Sequence, residues 1–344
     1  MQVAELQDHD KSEWDSYLDR SQESSIYHLA SWKDVMESTF DLQAHFLLAR
    51  QDGQIVGVLP LLHVESVLSG NYFTSMPGAI SAETVEAAQA LFKRAKELVN
   101  ASGAQYLILR DSHRCWNFPE LMTKDGHCTM MVDLSTDSEP IWRGVNRRVR
   151  QSTKRAIAAG LEVMNDPEQL EDFYPAYSTA MRDLGTPTQG IEFFRNILGH
   201  FPDQFTVMTV RNNHQILGGG LVAKFRDTVY QTWGGMLRQY YDLNPNYILY
   251  WETIKAACGA GYHWLDLGRS EWDSGTYRFK KHWLSEPQPL YQQFYLNGVD
   301  QPPRVGSKIR EEPKYRFVVS IWQRLPMAVT EALGPWIRKQ MPFG

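Results

Sequence analysis

The stretch at residues 262–283, YHWLDLGRSEWDSGTYRFKKHW, holds the residues of this chain whose types and spacing best suit chemistry. Its Trp-Leu-Asp-Leu run predicts a short β-strand that ends at Gly268, and a polar loop and an aromatic, basic cluster follow. A strand end that leads into a polar loop and a cationic edge is a common place for an active site on α/β sheets. The alternative is a hairpin with a solvated basic edge.

Two charged residues in this stretch are the first candidates for catalysis. Asp266 lies inside the apolar strand, where an unpaired charge is costly, so Arg269 three residues later is its expected partner. Lys280 follows Phe279, and Tyr277 lies two residues before that phenylalanine. A lysine here would stabilise the oxyanion that forms during acyl transfer. The alternative is that Lys280 is a surface charge.

A basic segment at residues 146–160 is the second candidate site. It predicts a helix with five cations and no acid between 146 and 155: Arg147, Arg148, Arg150, Lys154 and Arg155. Like charges repel, so an anionic partner such as a phosphate or an RNA backbone would stabilise them. The alternative is that acids elsewhere in the fold pair with these cations.

The third candidate is the start of a predicted helix after Pro245. Asn244 or Asn246 can cap this helix, and the free N–H groups of a helix N-terminus suit a phosphate or carboxylate. Aromatic residues follow at positions 247, 250 and 251, a spacing that forms one helix face and is typical of a packed core.

Composition and motif searches exclude several classes of function. The net charge of −5 argues against a general polyanion binder. The sequence has no Gly-rich P-loop, GxSxG elbow or HExxH motif, and its histidines form no ligand-spaced set, so we predict no metal. The glycine run at 218–220 lies inside a strand pattern and indicates a bulge or a close backbone approach. Three scattered cysteines without a CxxC pair predict reduced thiols in a cytoplasmic protein.

An internal repeat supplies the elements that position these residues. Residues 12–40 have helical spacing, and a hairpin at 45–66, a helix at 84–103 and a strand at 104–110 follow. The second half repeats this order. It has predicted helices at 171–185 and 190–201, a hairpin at 204–225, a strand at 228–236, a helix at 244–261 and a strand at 262–268.

The two halves also match residue by residue. RQDGQIVG at 50–57 aligns with RNNHQILG at 211–218, and GAQYLIL at 103–109 aligns with GYHWLDL at 261–267. Two matches in the same order predict a duplicated α/β domain. The polar, turn-rich segment near 133–145 marks the expected boundary.

Three segments together resemble the FemAB-like proteins of the GNAT-type acyltransferases: NRRVRQSTKRAIAAGLEV, PNYILYWETIKAACGAGYHWLDLGRS and GTYRFKKHW. The likeness is greatest to the branch found with bacterial exosortase/PEP-CTERM systems, and it covers residues 140–296 best. It implies an α/β (α+β) fold with two tandem GNAT-like N-acyltransferase domains whose sheets are mixed and mostly antiparallel. We expect these domains at 1–138 and 139–300, and a basic amphipathic helical tail at 301–344.

The resemblance implies transfer of an acyl or aminoacyl group to an amine of a cell-envelope, peptidoglycan or exopolysaccharide precursor, either a small molecule or lipid-linked. Fem transferases use aminoacyl-tRNA, whereas relatives are assigned acyl-CoA. The sequence lacks the coiled-coil arm with which some Fem enzymes engage tRNA, which counts against an aminoacyl-tRNA donor and leaves an acyl-CoA donor open. The alternative is a non-catalytic GNAT-fold module that binds a polysaccharide intermediate or a partner protein.

The resemblance also assigns roles to residues. The pair Phe279-Lys280 matches the aromatic–lysine pair near the acyl-transfer centre of Fem enzymes, so Lys280 would stabilise the oxyanion, and Asp266 or Tyr241 would take the proton. The remaining expected contacts to donor or substrate are these: Arg147, Arg148, Arg150 and Lys154 with phosphates, and Asn246, Tyr250, Arg269, Tyr277 and Phe279 nearer the reaction.

The basic tail suggests a partner of its own. Residues 304–344 carry eight Lys/Arg against three acids, and residues 314–344 predict an amphipathic helix broken at Pro326. The tail would dock on the protein body or make peripheral contact with the inner face of the cytoplasmic membrane. The N-terminus resembles no signal peptide, and no stretch is apolar enough to span a bilayer.

Overall fold

The structure is a computed structural model that describes residues 1–135, 137–302 and 313–342. Residues 303–312 and 343–344 of the predicted tail lie outside the described residues. The chain divides into two compact units. The first unit comprises Met1–Gly126, Pro289–Glu311 and Trp336–Gly344, and the second comprises His127–Gln288 and Glu312–Pro335.

The first unit is a sheet flanked by helices. Its strands are β1 (Gln2–Glu5), β2 (Gln43–Gln51), β3 (Gln54–Ser66), β4 (Gly70–Ser75), β5 (Ser81–Ala82) and β6 (Tyr106–Ser112), and its helices are α1 (Lys11–Arg20), α2 (Trp32–Phe40) and α3 (Val85–Ser102). Strand β7 (Leu121–Asp133) ends in the second unit. The apolar faces of α3 and the sheet form one core.

The second unit has the same plan. Its further strands are β8 (Leu161–Asn165), β9 (Phe205–Asn212), β10 (Gln215–Phe225), β11 (Thr228–Met236) and β12 (Trp264–Glu271), and its helices are α4 (Ser138–Gly144), α5 (Arg147–Ala158), α6 (Leu170–Asp183), α7 (Ile191–His200), α8 (Pro245–Gly259) and α9 (Gly275–Lys281). Strand β13 (Glu286–Leu296) follows, then the tail helices α10 (Pro313–Trp322) and α11 (Met327–Gln340).

The two sheets share one strand order. In the first unit β1, β2, β3 and β4 are antiparallel neighbours, β4 pairs in parallel with β6, and β6 pairs antiparallel with β13. In the second unit β8, β9, β10 and β11 are antiparallel neighbours, β11 pairs in parallel with β12, and β12 pairs antiparallel with β7. The predicted fold class, tandem α/β domains with mixed and mostly antiparallel sheets, is confirmed.

Local sequence explains the main turns. The β2–β3 hairpin turns at Asp52 and Gly53, which both have positive φ, as a two-residue turn between twisted strands requires. Helix α3 begins where the Thr84 hydroxyl accepts a hydrogen bond from the Ala87 N–H, and it ends at Gly103 in the left-handed conformation. The predicted hairpin and helix therefore form as expected.

The segment after the strand end differs from the hairpin alternative. The Ser274 hydroxyl accepts a hydrogen bond of 3.1 Å from the Tyr277 N–H and caps α9. Successive side chains of a helix point roughly 100° apart, and the phase of α9 buries Lys280 and exposes Lys281.

Candidate functional site

The parallel strands β11 and β12 separate after a short contact. They pair only from Thr228 to Tyr230, opposite Trp264 to Asp266. Beyond that point β12 has a register shift, and Gly268 takes a φ of +80°, which a residue with a side chain adopts only with strain. The separation leaves room between the carboxyl ends of two parallel strands, where α/β proteins commonly bind ligands.

Facing glycines keep this region free of side chains. Gly219 pairs with Gly235, and Gly220 pairs with Gly234, across β10 and β11. A Cβ atom on Gly219 would lie 2.1 Å from the carbonyl oxygen of Met208, which no real contact allows. The predicted bulge is present in β10, where the register shifts between Gly220 and Val222.

A cavity of about 290 Å3 occupies this region of the second unit. The predicted site residues that line it are Lys280, Tyr241, Asn246 and Tyr250. Leu249 and Leu267 supply apolar wall, and the glycines of β10 and β11 also belong to the lining. Burial raises the pKa of the Tyr250 hydroxyl above its ordinary value, so this group stays protonated. The lining, as far as the structure describes it, contains no carboxylate and no histidine.

Lys280 is the charged group of the cavity. Its side chain comes from α9 and is only 5% exposed. The Nζ atom donates hydrogen bonds to the carbonyl oxygens of Gly268 at 2.8 Å and Arg269 at 3.1 Å. Burial lowers the pKa of Lys280 to about 8, and the carboxylate of Asp266 partly offsets this. An ammonium has three N–H donors, so one remains for a ligand in the cavity.

Asp266 supports the bulge that holds this lysine. Its Oδ1 atom accepts hydrogen bonds from the Gly268 N–H at 2.7 Å and from the Thr129 hydroxyl. The sequence predicts Arg269 as the partner of this carboxylate, whereas in the structure these two other donors bond to it. The guanidinium of Arg269 lies at the exposed end of β12 and is 3.1 Å from Nε2 of His127. The geometry connects Asp266 to Lys280 through Gly268.

The two aromatic residues of α9 pack in the core of the unit. Phe279 lies edge-on to the rings of Tyr247 and Tyr250, both at 5.2 Å between centroids. Tyr277 is mostly buried and contacts the ring of Trp272 at 5.7 Å. Phe279 thus positions the cavity-lining Tyr250 and the helix that carries Lys280. A direct contact of Phe279 or Tyr277 with a ligand remains a prediction.

The basic helix α5 packs on α8, whose opposite residues line the cavity. Arg147, Arg148 and Lys154 are exposed, and no ion pair joins them to an acid in the described parts of the chain. Arg150 is different, because its guanidinium donates to the carbonyl oxygens of Arg143 at 2.9 Å and of Val145. These three cations and the exposed Arg155 are therefore open to an anionic ligand, whereas Arg150 stabilises the start of the helix.

The helix start after Asn244 differs in detail from the sequence expectation. Asn244 is the N-cap residue in the left-handed conformation, but its side chain makes no capping bond and donates to the Asp242 carbonyl oxygen at 3.1 Å. Asn246 lies two residues further along the helix and lines the cavity. Pro245 lacks an N–H, so the amide donors that remain at this helix start begin with Asn246.

The first unit closes the corresponding place with its own chain. Strands β4 and β6 pair in parallel at two positions only. Beyond them the Ser75 hydroxyl accepts a hydrogen bond of 2.8 Å from the Arg110 N–H, and the Gly78 N–H donates to the Arg110 carbonyl oxygen at 3.0 Å. The backbone groups that the second unit leaves to its cavity are thus satisfied internally in the first unit.

Sequence reasoning did not identify Thr129 or Gln231 as members of this region, and it named Gly268 only as the end of a strand. Thr129 comes from β7, which the repeat did not predict, and its hydroxyl contacts Asp266. Gln231 lines the cavity and donates to the Thr253 hydroxyl of α8 at 3.3 Å. A usable signal existed only for Gly268, because a glycine at a strand end with polar residues after it is typical of a bulge.

Comparisons with known proteins agree with this geometry. Residues 143–281 match the family model described as an acetyltransferase (GNAT) domain. A comparison with curated protein sequences gives no match. The crystal structure of FemX aligns with a TM-score of 0.66 and 16% sequence identity, over 86% of this chain and 98% of that one.

Two further solved structures share the fold. A tandem GNAT protein from the clavulanic acid biosynthesis pathway aligns with a TM-score of 0.57 and 11% identity, over 87% of this chain and 99% of that one. L-PGS from Bacillus licheniformis aligns with a TM-score of 0.57 and 10% identity, over 92% of this chain and 98% of that one. The chain therefore shares the tandem GNAT-like fold of these structures, as the resemblance implied, and its residues 143–281 are similar to the GNAT acetyltransferase family model. The link to the exosortase/PEP-CTERM branch stays a prediction.

Proposed function

We propose that the second unit of this GNAT-fold chain transfers an acyl group from an acyl-CoA thioester to an amine of a cell-envelope or polysaccharide precursor. The observation that carries the proposal is the buried ammonium of Lys280, which keeps one N–H for a ligand at the wall of a cavity between separated parallel strands. The envelope acceptor rests on the resemblance to FemAB-like proteins.

The cavity favours acyl-CoA over aminoacyl-tRNA as the donor. Past the three paired positions, β11 and β12 have backbone amide edges next to the cavity, and the amides of a pantetheine arm can bond to such an edge. An aminoacyl group carries an α-ammonium that needs a counter-charge, whereas the described lining contains no carboxylate and already holds the cation of Lys280. Like charges in a buried site repel strongly.

The proposed chemistry needs few groups. The acceptor nitrogen bonds to the acyl carbon, the carbon–sulphur bond breaks, and the proton that the amine loses ends on the thiol. The remaining N–H of Lys280 stabilises the negative charge that develops on the acyl oxygen. Tyr241 lines the cavity and is 46% exposed, so its hydroxyl can carry the proton between the reacting groups and solvent.

Donor binding is the direct test of this proposal. At a hundredfold excess over its Kd, acetyl-CoA should raise the Tm of the protein by about 5 °C or more, because a ligand specific to the folded state adds about 2.7 kcal/mol. Aminoacyl-tRNA should give no such shift. Thiol release with an amine acceptor then measures turnover. A shift with aminoacyl-tRNA alone would make the protein an aminoacyltransferase, and no shift with either donor would favour the binding-module alternative.

The open cations of α5 give a second prediction. Lys154→Glu should raise the KM of the phosphate-bearing substrate about tenfold, because a charge-assisted hydrogen bond contributes about 1.5 kcal/mol or more. It should leave kcat unchanged, since α5 contributes no residue to the described cavity lining.

Lys93→Glu is the matched control for this charge reversal. Lys93 is also an exposed helical lysine, on α3, without a described acid partner. Steady-state kinetics at several salt concentrations should show an increase in KM, and a loss of salt dependence, for Lys154→Glu only. Equal KM values for the two variants would exclude α5 as a phosphate-binding surface.

A further inference from the structure

Tail helices α10 and α11 turn their apolar residues outwards. On α10 the residues Phe317, Val318 and Ile321 are exposed, and the first two have 66% and 61% of their surface in contact with solvent. On α11, within its residues 327–335 that belong to the second unit, the exposed residues are all apolar and lie along one face: Ala328, Val329, Ala332 and Leu333. Both sets follow helical spacing, so each forms a continuous stripe. A soluble helix normally buries such a stripe.

The opposite faces of the two helices are fixed to the second unit. The side chain of Gln323, just after α10, donates to the Asp183 carbonyl oxygen at 2.9 Å, and the Glu331 carboxylate of α11 accepts from the Ser178 hydroxyl at 2.8 Å. Gly334 lies so close to Thr188 that a Cβ atom would be 2.7 Å from its carbonyl oxygen. Since both helices rest on residues 178–188, their apolar stripes are turned away from that segment.

Charge on this surface has one sign. Arg316 and Arg324 are exposed beside the apolar residues of α10, and no ion pair joins either of them to an acid in the described part of the chain. Glu331 is the acid of residues 313–335, and its carboxylate is held by Ser178 on the inner side. A second copy of this surface would bring together cations only, whereas an anionic surface complements them.

We propose that the apolar surface of α10 and α11, defined by Phe317, Val318, Ile321, Val329 and Leu333, binds the face of an anionic lipid bilayer. Aromatic and aliphatic side chains would enter the boundary of head groups and acyl chains, and Arg316 and Arg324 would contact lipid phosphates. The proposed contact is peripheral, at the bilayer surface. The described residues include no helix long and apolar enough to cross a membrane. The second unit would then act on acceptors held at the bilayer surface.

Vesicle flotation of the full chain tests this proposal. The protein should float with vesicles that contain about 30% phosphatidylglycerol in phosphatidylcholine, and flotation should weaken with salt. The variant F317S/V318S should bind the vesicles at least about tenfold more weakly, because both side chains would otherwise be buried in the lipid interface. R316E/R324E should lose binding to anionic vesicles in the same way.

The matched control is V67S/L68S, which removes two neighbouring exposed apolar side chains, 82% and 55% exposed, from the turn between β3 and β4. It should float like the unchanged protein. Because all these side chains are exposed, the Tm values should agree within a few degrees. The proposal is overturned if the protein does not float, if F317S/V318S floats like the control, or if sedimentation shows that these side chains instead hold two copies of the chain together.

Discussion

Replacing Lys280 by methionine should lower kcat about 100- to 1,000-fold, which is the usual effect of removing one oxyanion-stabilising donor. Methionine fills a similar volume in the buried position, so the cavity keeps its shape while the ammonium is lost. Thiol release from acetyl-CoA in the presence of an amine acceptor measures the effect. KM for the donor should change little, because the remaining N–H contributes mainly when charge develops on the acyl oxygen.

The pH dependence of the reaction identifies the same group. Burial lowers the pKa of Lys280 to about 8, and only the protonated form is the cationic donor. The value of kcat/KM should therefore fall as the pH rises above about 8. At low pH the profile should fall because the acceptor amine becomes protonated. In Lys280→Met the alkaline decrease should be absent.

Stability gives an independent check of the lowered pKa. The unfolded chain keeps the proton up to the ordinary lysine value of 10.5, whereas the folded chain loses it near 8. Between these values the unfolded state binds more protons, so the free energy of unfolding should rise with pH in the unchanged protein. Urea unfolding below and above this window should show the rise, and Lys280→Met should not.

Lys281→Met is the control for the loss of a lysine. Lys281 is exposed and lies 5.8 Å above the ring of Tyr277, outside the described cavity lining. Its replacement should change kcat less than about twofold, since surface substitutions are usually within 0.5 kcal/mol. If Lys280→Met kept more than about a tenth of the kcat of the unchanged protein, Lys280 would not be the oxyanion donor.

The sequence predicts the frame of each unit well because its signals are local. The hairpin predicted at 45–66 and the helix predicted at 84–103 follow from short-range patterns, and both form as expected. The residue-by-residue match of the two halves then extends the frame from one unit to the other. Helices and hairpins depend on neighbours in sequence, so pattern and propensity suffice for them.

The last strand of each sheet could not be predicted from the repeat. The first unit takes residues 289–296 of β13 as the strand next to β6, and the second unit takes residues 127–133 of β7 as the strand next to β12. Each sheet is therefore completed by chain from beyond its own repeat. A repeat search aligns consecutive segments, so it cannot show that the final strands are exchanged.

The different burial of two neighbouring lysines shows why the site was only partly predicted. Lys280 and Lys281 are identical in type and adjacent, yet one is 5% exposed and the other is solvated. Which of the two lysines is buried depends only on the direction in which α9 points each side chain and on the carbonyl groups of the β12 bulge. The bulge in turn depends on Thr129 from β7, which is 137 residues away along the chain from Asp266. Such long-range contacts leave no pattern in a local stretch.

The function of Asp266 separates two mechanisms that the sequence left open. As the proton acceptor, it would need a negative charge and a path to the amine. As a positioning residue, it holds the Gly268 N–H and the Thr129 hydroxyl, and the Gly268 carbonyl oxygen then holds Lys280. Asp266 lies outside the described cavity lining, which favours the positioning function. Its carboxylate also raises the pKa of Lys280 against the effect of burial.

Two substitutions of Asp266 have different expected results. Asp266→Ala should lower kcat about 10- to 100-fold, because the bulge loses both hydrogen bonds and the Lys280 ammonium loses its fixed carbonyl partner. Asp266→Asn keeps an Oδ1 acceptor for the same two donors but removes the charge. It should retain kcat within a few-fold at neutral pH, and its alkaline decrease in kcat/KM should shift to lower pH, since the charge that raised the lysine pKa is gone.

The full pH profile of Asp266→Asn therefore decides between the mechanisms. A general base cannot be replaced by an amide, so in that mechanism Asp266→Asn would lose as much kcat as Asp266→Ala at every pH. If the carboxylate is a positioning group, the kcat values of the two variants should instead differ by about tenfold. Only the alkaline decrease of the kcat/KM profile should then shift in Asp266→Asn. Thr129→Val should reproduce part of the Asp266→Ala loss, because it removes one of the two donors to Oδ1. A normal profile in Thr129→Val would limit the positioning contact to the Gly268 N–H.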